Sequence, residues 1–242
     1  MASPATEEAV LLWKVRHGDH GFVLRMFTLS GGIRPFILQG VKGKKAALSA
    51  YLFPLSILEL ELSGGKSGSM GRIAELRPAI DVSDLRFDVH KNAIATLIAE
   101  ILNKCIAEGQ SESMLYYFIK MSVRQLANAR QMGNFHLSFL IHLSHYLGFL
   151  PQLKGQTHRP LFLDLREGLF VAQRPLHLDY LEQYFTEKWM EFIKMAPEDS
   201  ASISLRRSER REILEQILKF YAIHLPGTQR LKTPEVLVSL YD

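Results

Sequence analysis

The apolar residues of this chain change their spacing once, near Pro78 to Asp84, and that change most constrains its fold. Before it they alternate; after it they recur every three to four residues. Over residues 9–16, Ala9, Leu11, Trp13 and Val15 share one face, while Lys14 and Arg16 share the other with Val10 and Leu12. Alternation of this kind marks a half-buried strand and assigns Trp13 to the core. Residues 22–28 and 33–39 read as two more strands, joined through His17-Gly18-Asp19 and Ser30-Gly31-Gly32, turns short enough for antiparallel neighbours. In residues 52–62, Leu58, Leu60 and Leu62 face inward and Glu59 and Glu61 outward. A Gly- and Ser-rich connection over 63–71 leads to a fifth strand over 72–76, ending before Pro78. Five short strands of this size predict a small closed barrel of the oligonucleotide-binding (OB) type.

From Asp84 the period is helical. Ile94, Leu97, Ile98, Ile101 and Leu102 form an apolar stripe that closes near Gly109. Residues 111–128 predict a second helix, with Ser111 or Ser113 as its cap. Residues 134–146 predict a third, apolar nearly all round and ended by Gly148 and Pro151, so it belongs at the centre of its domain. Leu161 to Val171 reads as a hairpin turning at Arg166-Glu167-Gly168. Helices follow over 178–195 and 205–224, divided at Pro197, and a short helix or extended strap begins at Pro234. The fold class is therefore α+β and multidomain: an OB-like barrel over residues 1–80, then an all-helical domain with a small hairpin insertion over 81–242.

At 242 residues, 47% hydrophobic and 22% charged, the chain buries a core without staples. Its one cysteine, Cys105, excludes an intrachain disulfide and a cysteine-built zinc site, and reads as a small buried hydrophobe. The acidic amino terminus lacks a basic region followed by an apolar core, which points to the cytoplasm. The uncharged run over 131–153 is long enough to raise a membrane span, but His136, His142, His145, Asn134 and Pro151 within it favour a buried helix.

Charge is concentrated. Between Lys14 and Lys45 stand Lys14, Arg16, Arg25, Arg34, Lys42, Lys44 and Lys45 against one acid, Asp19, a formal +6 in a chain whose total is +4. Such a field on a small β module points to a polyanion, nucleic acid first. Lys42, Lys44 and Lys45 flank Gly43 in a loop suited to phosphates. Phe22, Phe36 and Tyr51 are possible base stackers, though an aromatic on a strand is more often core.

Five motifs stand in a telling order: Phe27-Thr28 followed by Gly32, Gly40-Val41-Lys42-Gly43-Lys44-Lys45, Leu52-Phe53-Pro54-Leu55-Ser56, Leu147-Gly148-Phe149-Leu150-Pro151 and Lys232-Thr233-Pro234-Glu235-Val236-Leu237. With a basic barrel followed by a helical domain, they make the chain resemble the bacterial RecO family of recombination mediator proteins. The resemblance spans almost the whole chain. It implies a non-enzymatic DNA repair protein that binds single- and double-stranded DNA, anneals complementary strands and, with RecR, helps load RecA onto single strands coated by single-stranded-DNA-binding protein (SSB). Many members hold zinc with cysteines after the Leu-Gly-Phe segment; residues 151–175 contain none, so the hairpin takes that place, held by Leu161, Phe162, Leu163 and Phe170, and no metal or cofactor is expected.

Between Ser113 and Leu163 there is no Asp or Glu, whereas Lys120, Arg124, Arg130, Lys154 and Arg159 fall there. A cationic patch of Lys120, Arg124 and Arg130 beside an apolar helix suits an acidic peptide with a hydrophobic end, for which the resemblance implies the SSB carboxy-terminal tail; a second DNA surface and a face that pairs with acids elsewhere in the fold are the competing readings. Arg206 to Arg211 places positive charge at a helix start, against the dipole, but Glu209, Glu212 and Glu215 are at hand to pair with it. No paired carboxylates in a loop, nucleophile elbow or phosphate loop appears. Two alternatives stand beside this reading: an OB-fold RNA-binding protein of translation or RNA turnover, and an enzyme using His142 or His145.

Overall fold

The computed structural model describes residues 5–19, 21–41, 43–63, 70–109, 111–153, 160–228 and 231. Lys42, Lys154, Arg159 and the stretch from Lys232 onward lie outside them, as do the side chains of Lys44 and Lys45. The described residues divide into two compact units, the first through Asn128 and the second from Ala129 to Leu231.

In the first unit, β1 (Ala5–His17), β2 (Gly21–Thr28), β3 (Gly32–Leu38), β4 (Ile57–Ser63) and β5 (Gly71–Pro78) close a barrel in the order β1-β2-β3-β5-β4. Only β3–β5 is parallel. Inward-facing Ala9, Leu11, Leu24, Met26, Phe36, Leu38, Leu58, Leu60, Ile73 and Leu76 fill the interior together with Leu52. Strand β1 serves two partners, pairing with β4 over Ala5–Val10 and with β2 from Ala9 to His17. Its register shifts between Leu11 and Trp13, a bulge that bends the strand and reverses which residues face inward. That reversal overturns one expectation: Trp13 leaves the core and is 49% exposed.

The Leu52 to Ser56 motif clamps the bulge. Leu11 N–H donates to the Ser56 carbonyl at 2.9 Å, and Leu55 N–H donates to the Leu11 carbonyl at 2.8 Å. Leu55 adopts φ 64°, which a non-glycine residue takes only under constraint, at ~1–2 kcal/mol. Its fully buried side chain offsets that cost. The glycine-flanked basic segment is not all loop: Gly43–Tyr51 forms a 3-10 helix, and strand β4 begins only at Ile57.

After the short α1 (Asp84–Phe87), helix α2 (Val89–Cys105) starts where Asp88 accepts from the N–H groups of His90 and Lys91 at 2.8 and 3.0 Å. The predicted stripe Ile94, Leu97, Ile98, Ile101 and Leu102 is buried, with α2 packed on β1. Helix α3 (Ser113–Asn128) docks through Tyr116, whose ring lies 5.7 Å from that of Phe27 and whose hydroxyl donates to Glu8 at 3.0 Å. Cys105 is largely covered, and burial pushes its thiol up to about 12.

In the second unit, α4 (Phe135–Tyr146) is central and buried on nearly every side. Gly148, at φ 84°, ends it: its N–H donates to the His145 carbonyl and that of Phe149 to Ser144. Phe149 then packs on Phe220, Tyr221 and His224, with centroids at 5.5, 5.0 and 5.5 Å, which gives the Leu-Gly-Phe segment its structural purpose. The predicted hairpin forms from β7 (Phe162–Asp164) and β8 (Leu169–Val171) inside a four-stranded sheet whose edges are β6 (Gln152–Leu153) and β9 (Tyr180–Leu181). Leu163, Leu165, Phe170 and Leu181 are buried beneath it, while Leu161 and Phe162 are only partly covered.

Asp164 holds this turn through both carboxylate oxygens. One oxygen accepts from the backbone of Arg166 and Glu167 at 2.9 and 3.1 Å, and the other accepts from His177 Nε2 at 3.2 Å. Asp179 binds Arg166 and Lys219 at 2.5 and 2.8 Å, which holds its carboxyl down at about 2. Helix α5 (Gln183–Lys194) begins later than its periodicity predicts because Tyr180 and Leu181 pair with β7 instead. A 3-10 turn, Pro197–Ser202, precedes α6 (Arg207–His224).

Candidate nucleic-acid interface

Strand register decides which cations meet, because residues directly opposite one another in a ladder project to the same face. After the bulge, Lys14 stands opposite Leu24 and Arg16 opposite Phe22, on the inward side where the barrel opens beside the β1–β2 turn. Lys14 donates its ammonium to the Leu52 carbonyl and lies 6.0 Å from the Phe22 ring centroid. Partial burial, and then the nearby Arg86 guanidinium, lower its pKa below the ordinary lysine value. Arg16 is exposed and, with Gly18, Asp19, Gly21, Phe22, Val41 and Ser49, lines a cleft of about 240 Å³. The 3-10 helix carrying Lys44 and Lys45 contributes Ser49 to the same cleft.

The other two barrel cations are placed elsewhere. Arg25 lies opposite Trp13 and Pro35 on the outer face, where its guanidinium pairs with Glu108 from the α2–α3 connection. Arg34 lies opposite Met26 toward the other end of the barrel and stacks over Phe36 at 5.5 Å. The barrel thus brings Lys14 and Arg16 together with Phe22 and separates Arg25 and Arg34 from them. Of the aromatics, Phe36 is core, Phe22 is half-buried at the opening and Tyr51 is 39% exposed.

The acid-free helical stretch also divides. Lys120 binds Glu8 at 2.7 and 2.9 Å, tying α3 to β1 across 112 residues of sequence. Arg124 is exposed on α3, following Met114, Tyr117 and Met121, which are 73%, 51% and 49% exposed on the same side of the helix. Arg130 is exposed in the second unit.

The histidines take structural positions. His142 Nε2 donates to the carbonyls of Phe192 and Met195 at 3.1 and 2.8 Å, capping the end of α5. His136 is buried, and desolvation, then Arg210, hold its pKa down at about 3. His145 is exposed, its ring edge-on to Tyr146. Among the described residues no group of three or more His, Cys, Asp or Glu side chains is placed to hold a metal ion. None of their helices is long and apolar enough to cross a membrane. At the start of α6, Glu209 accepts from Arg206 N–H at 2.6 Å, and Arg211 pairs with Glu215 at 3.1 Å, so part of that basic cluster is balanced locally.

One surface residue escaped the sequence pattern: Trp13, because alternation is read as if strands were regular and a bulge is invisible to it. The unusual Leu52 to Ser56 motif was the available signal, since it binds the bulge.

Two family models match this chain: Recombination protein O N terminal over residues 1–79 and Recombination protein O C terminal over residues 86–159. Among curated proteins, the chain is similar to the DNA repair protein RecO of Flavobacterium psychrophilum, 28% identical over 238 residues that cover 97% of this chain and 98% of that one. It is similar to the same-named protein of Azobacteroides pseudotrichonymphae, 29% identical over 239 residues, 97% and 98% of the two chains. For that of Bacteroides fragilis the identity is 29% over 236 residues, 96% and 97%.

Proposed function

Since the chain belongs to the RecO family, whose members act in DNA repair and recombination, we propose that it works by holding DNA strands rather than by catalysis. In this reading it binds single- and double-stranded DNA, anneals complementary strands and, with a RecR partner in the cytoplasm, helps load RecA onto SSB-coated strands. The observation that carries it is the barrel opening, where Arg16, Phe22 and Ser49 of the 3-10 helix border one cleft in an OB strand order. Cations there track a phosphate backbone, and annealing needs nothing more than two strands held close while base pairing supplies the driving force. The barrel of 1–80 is the DNA module in this proposal, and 81–242 supplies the partner surfaces. On α3, Met114, Tyr117 and Met121 followed by Arg124 suit the acidic SSB tail with its apolar end; Lys120 contributes less than its sequence position implies because Glu8 holds it.

The test is the salt dependence of binding to a labelled single strand. Replacing Arg16, Lys44 and Lys45 by alanine is expected to lower affinity for every sequence and to flatten the slope of log K against log salt by about 0.7 per lost contact. An unchanged slope removes this opening from the interface. In the same assay format, Arg124→Glu is expected to abolish capture of an acidic, apolar-ended peptide, and undiminished capture assigns the tail elsewhere.

A further inference from the structure

A second cleft of about 370 Å³ opens along β1, between that strand and α2. Leu11, Leu12, Phe53 and Pro54 supply apolar lining, Trp13 and Lys14 border it on the strand side, and Thr96, Ala99, Glu100 and Asn103 line it from successive turns of α2. The strand bulge and the strained Leu55 turn, stitched together through Leu11, shape the strand side. Leu55 is the one non-glycine residue among those described with a positive φ, and strain retained at one point is where a ligand site is to be sought.

Three features select the ligand. The Trp13 indole is half exposed beside the cleft, a flat apolar surface that costs free energy in water until something flat covers it. Asn103, which lines the cleft, has a buried amide oxygen with no hydrogen-bond partner, an acceptor for a ligand N–H once the amide turns toward the cleft. Glu100 on the helix wall, paired with Lys104 at 3.7 Å, still offers carboxylate oxygens that accept from an amino or imino group, whereas the cations Lys14 and Arg16 stand on the strand. A planar heteroaromatic with N–H donors therefore belongs inside and its phosphates outside.

We propose that this cleft seats one unstacked nucleobase of single-stranded DNA against the Trp13 indole, so that the barrel distinguishes single strands from duplex. The inference rests on the DNA-binding reading above and adds to it a base-contacting site distinct from the phosphate cleft. Bases of a duplex are already stacked and paired and do not enter.

The chain offers its own probe, because it has two tryptophans and the other, Trp189, is 1% exposed in the second unit. Titration of the full chain with an unlabelled single strand is expected to quench tryptophan emission with the same midpoint as binding followed by anisotropy, and duplex is expected to leave emission unchanged. Trp13→Ala is expected to weaken single-strand affinity roughly fivefold to a hundredfold, the worth of one base–aromatic stack, with duplex affinity retained; Trp13→Phe keeps most of the binding. Single-strand binding with unquenched emission, or with equal affinity in Trp13→Ala, overturns the proposal and leaves DNA binding standing. Failure of the unaltered chain to bind either form of DNA removes the underlying reading itself.

Discussion

Trp13 and His136 show how far one residue's surroundings determine its behaviour. A half turn of backbone at the bulge carries Trp13 from the interior to the surface. His136, on the buried α4, cannot take a proton without desolvating a charge. Its pKa is held at about 3 against an ordinary 6.5, so between these values the unfolded chain binds the extra proton and acid favours unfolding. Its contribution is present in full above pH 6.5 and lost as pH falls toward 3, at up to about 1.4 kcal/mol per pH unit. Urea unfolding over that range is expected to show a shallower acid slope for His136→Phe than for the unaltered chain; parallel profiles would mean that His136 protonates freely in the fold. Neither outcome was legible from composition, because the histidine's charge depends on how tightly neighbouring elements close around it.

At the scale of elements, long periodic segments were legible and short ones were not. Helices α2, α3, α4 and α6 and strands β2, β3 and β5 lie close to where their apolar spacing placed them, while β1 starts four residues earlier and β4 five residues later. The 3-10 helix Gly43–Tyr51 and the edge strands β6 and β9 were missed: two-residue strands are too short to show a period, and they exist only because β7 and β8 offer them hydrogen bonds. The same competition takes Tyr180 and Leu181 from the start of α5. The end of α4 was legible because Gly148 occupies the left-handed region that an L side chain disfavours. A methyl group there meets nothing within 4 Å, so Gly148→Ala carries a purely conformational penalty. Thermal or urea unfolding is expected to show a loss of about 1–2 kcal/mol, and no loss would mean that the turn relaxes to another geometry.

For the whole molecule, the hairpin region is held by polar contacts over a small apolar base. Asp164, His177, Asp179, Arg166 and Lys219 form hydrogen bonds and ion pairs over buried Leu163, Leu165 and Phe170. Incubation with a strong chelator is therefore expected to leave the unfolding midpoint where it was; a fall of several degrees would point to a metal held outside the described residues. The sequence by itself determined the period change near Pro78, the barrel's strands, the main helices, the family and the surplus of positive charge in the first unit, since these follow from spacing and composition. Only the tertiary structure decided which charges act together. It joined Lys120 to Glu8 and Arg25 to Glu108, left Arg16 at the opening and turned Trp13 outward, because ion pairing and strand register are properties of residues far apart in sequence and fixed only when the chain closes on itself.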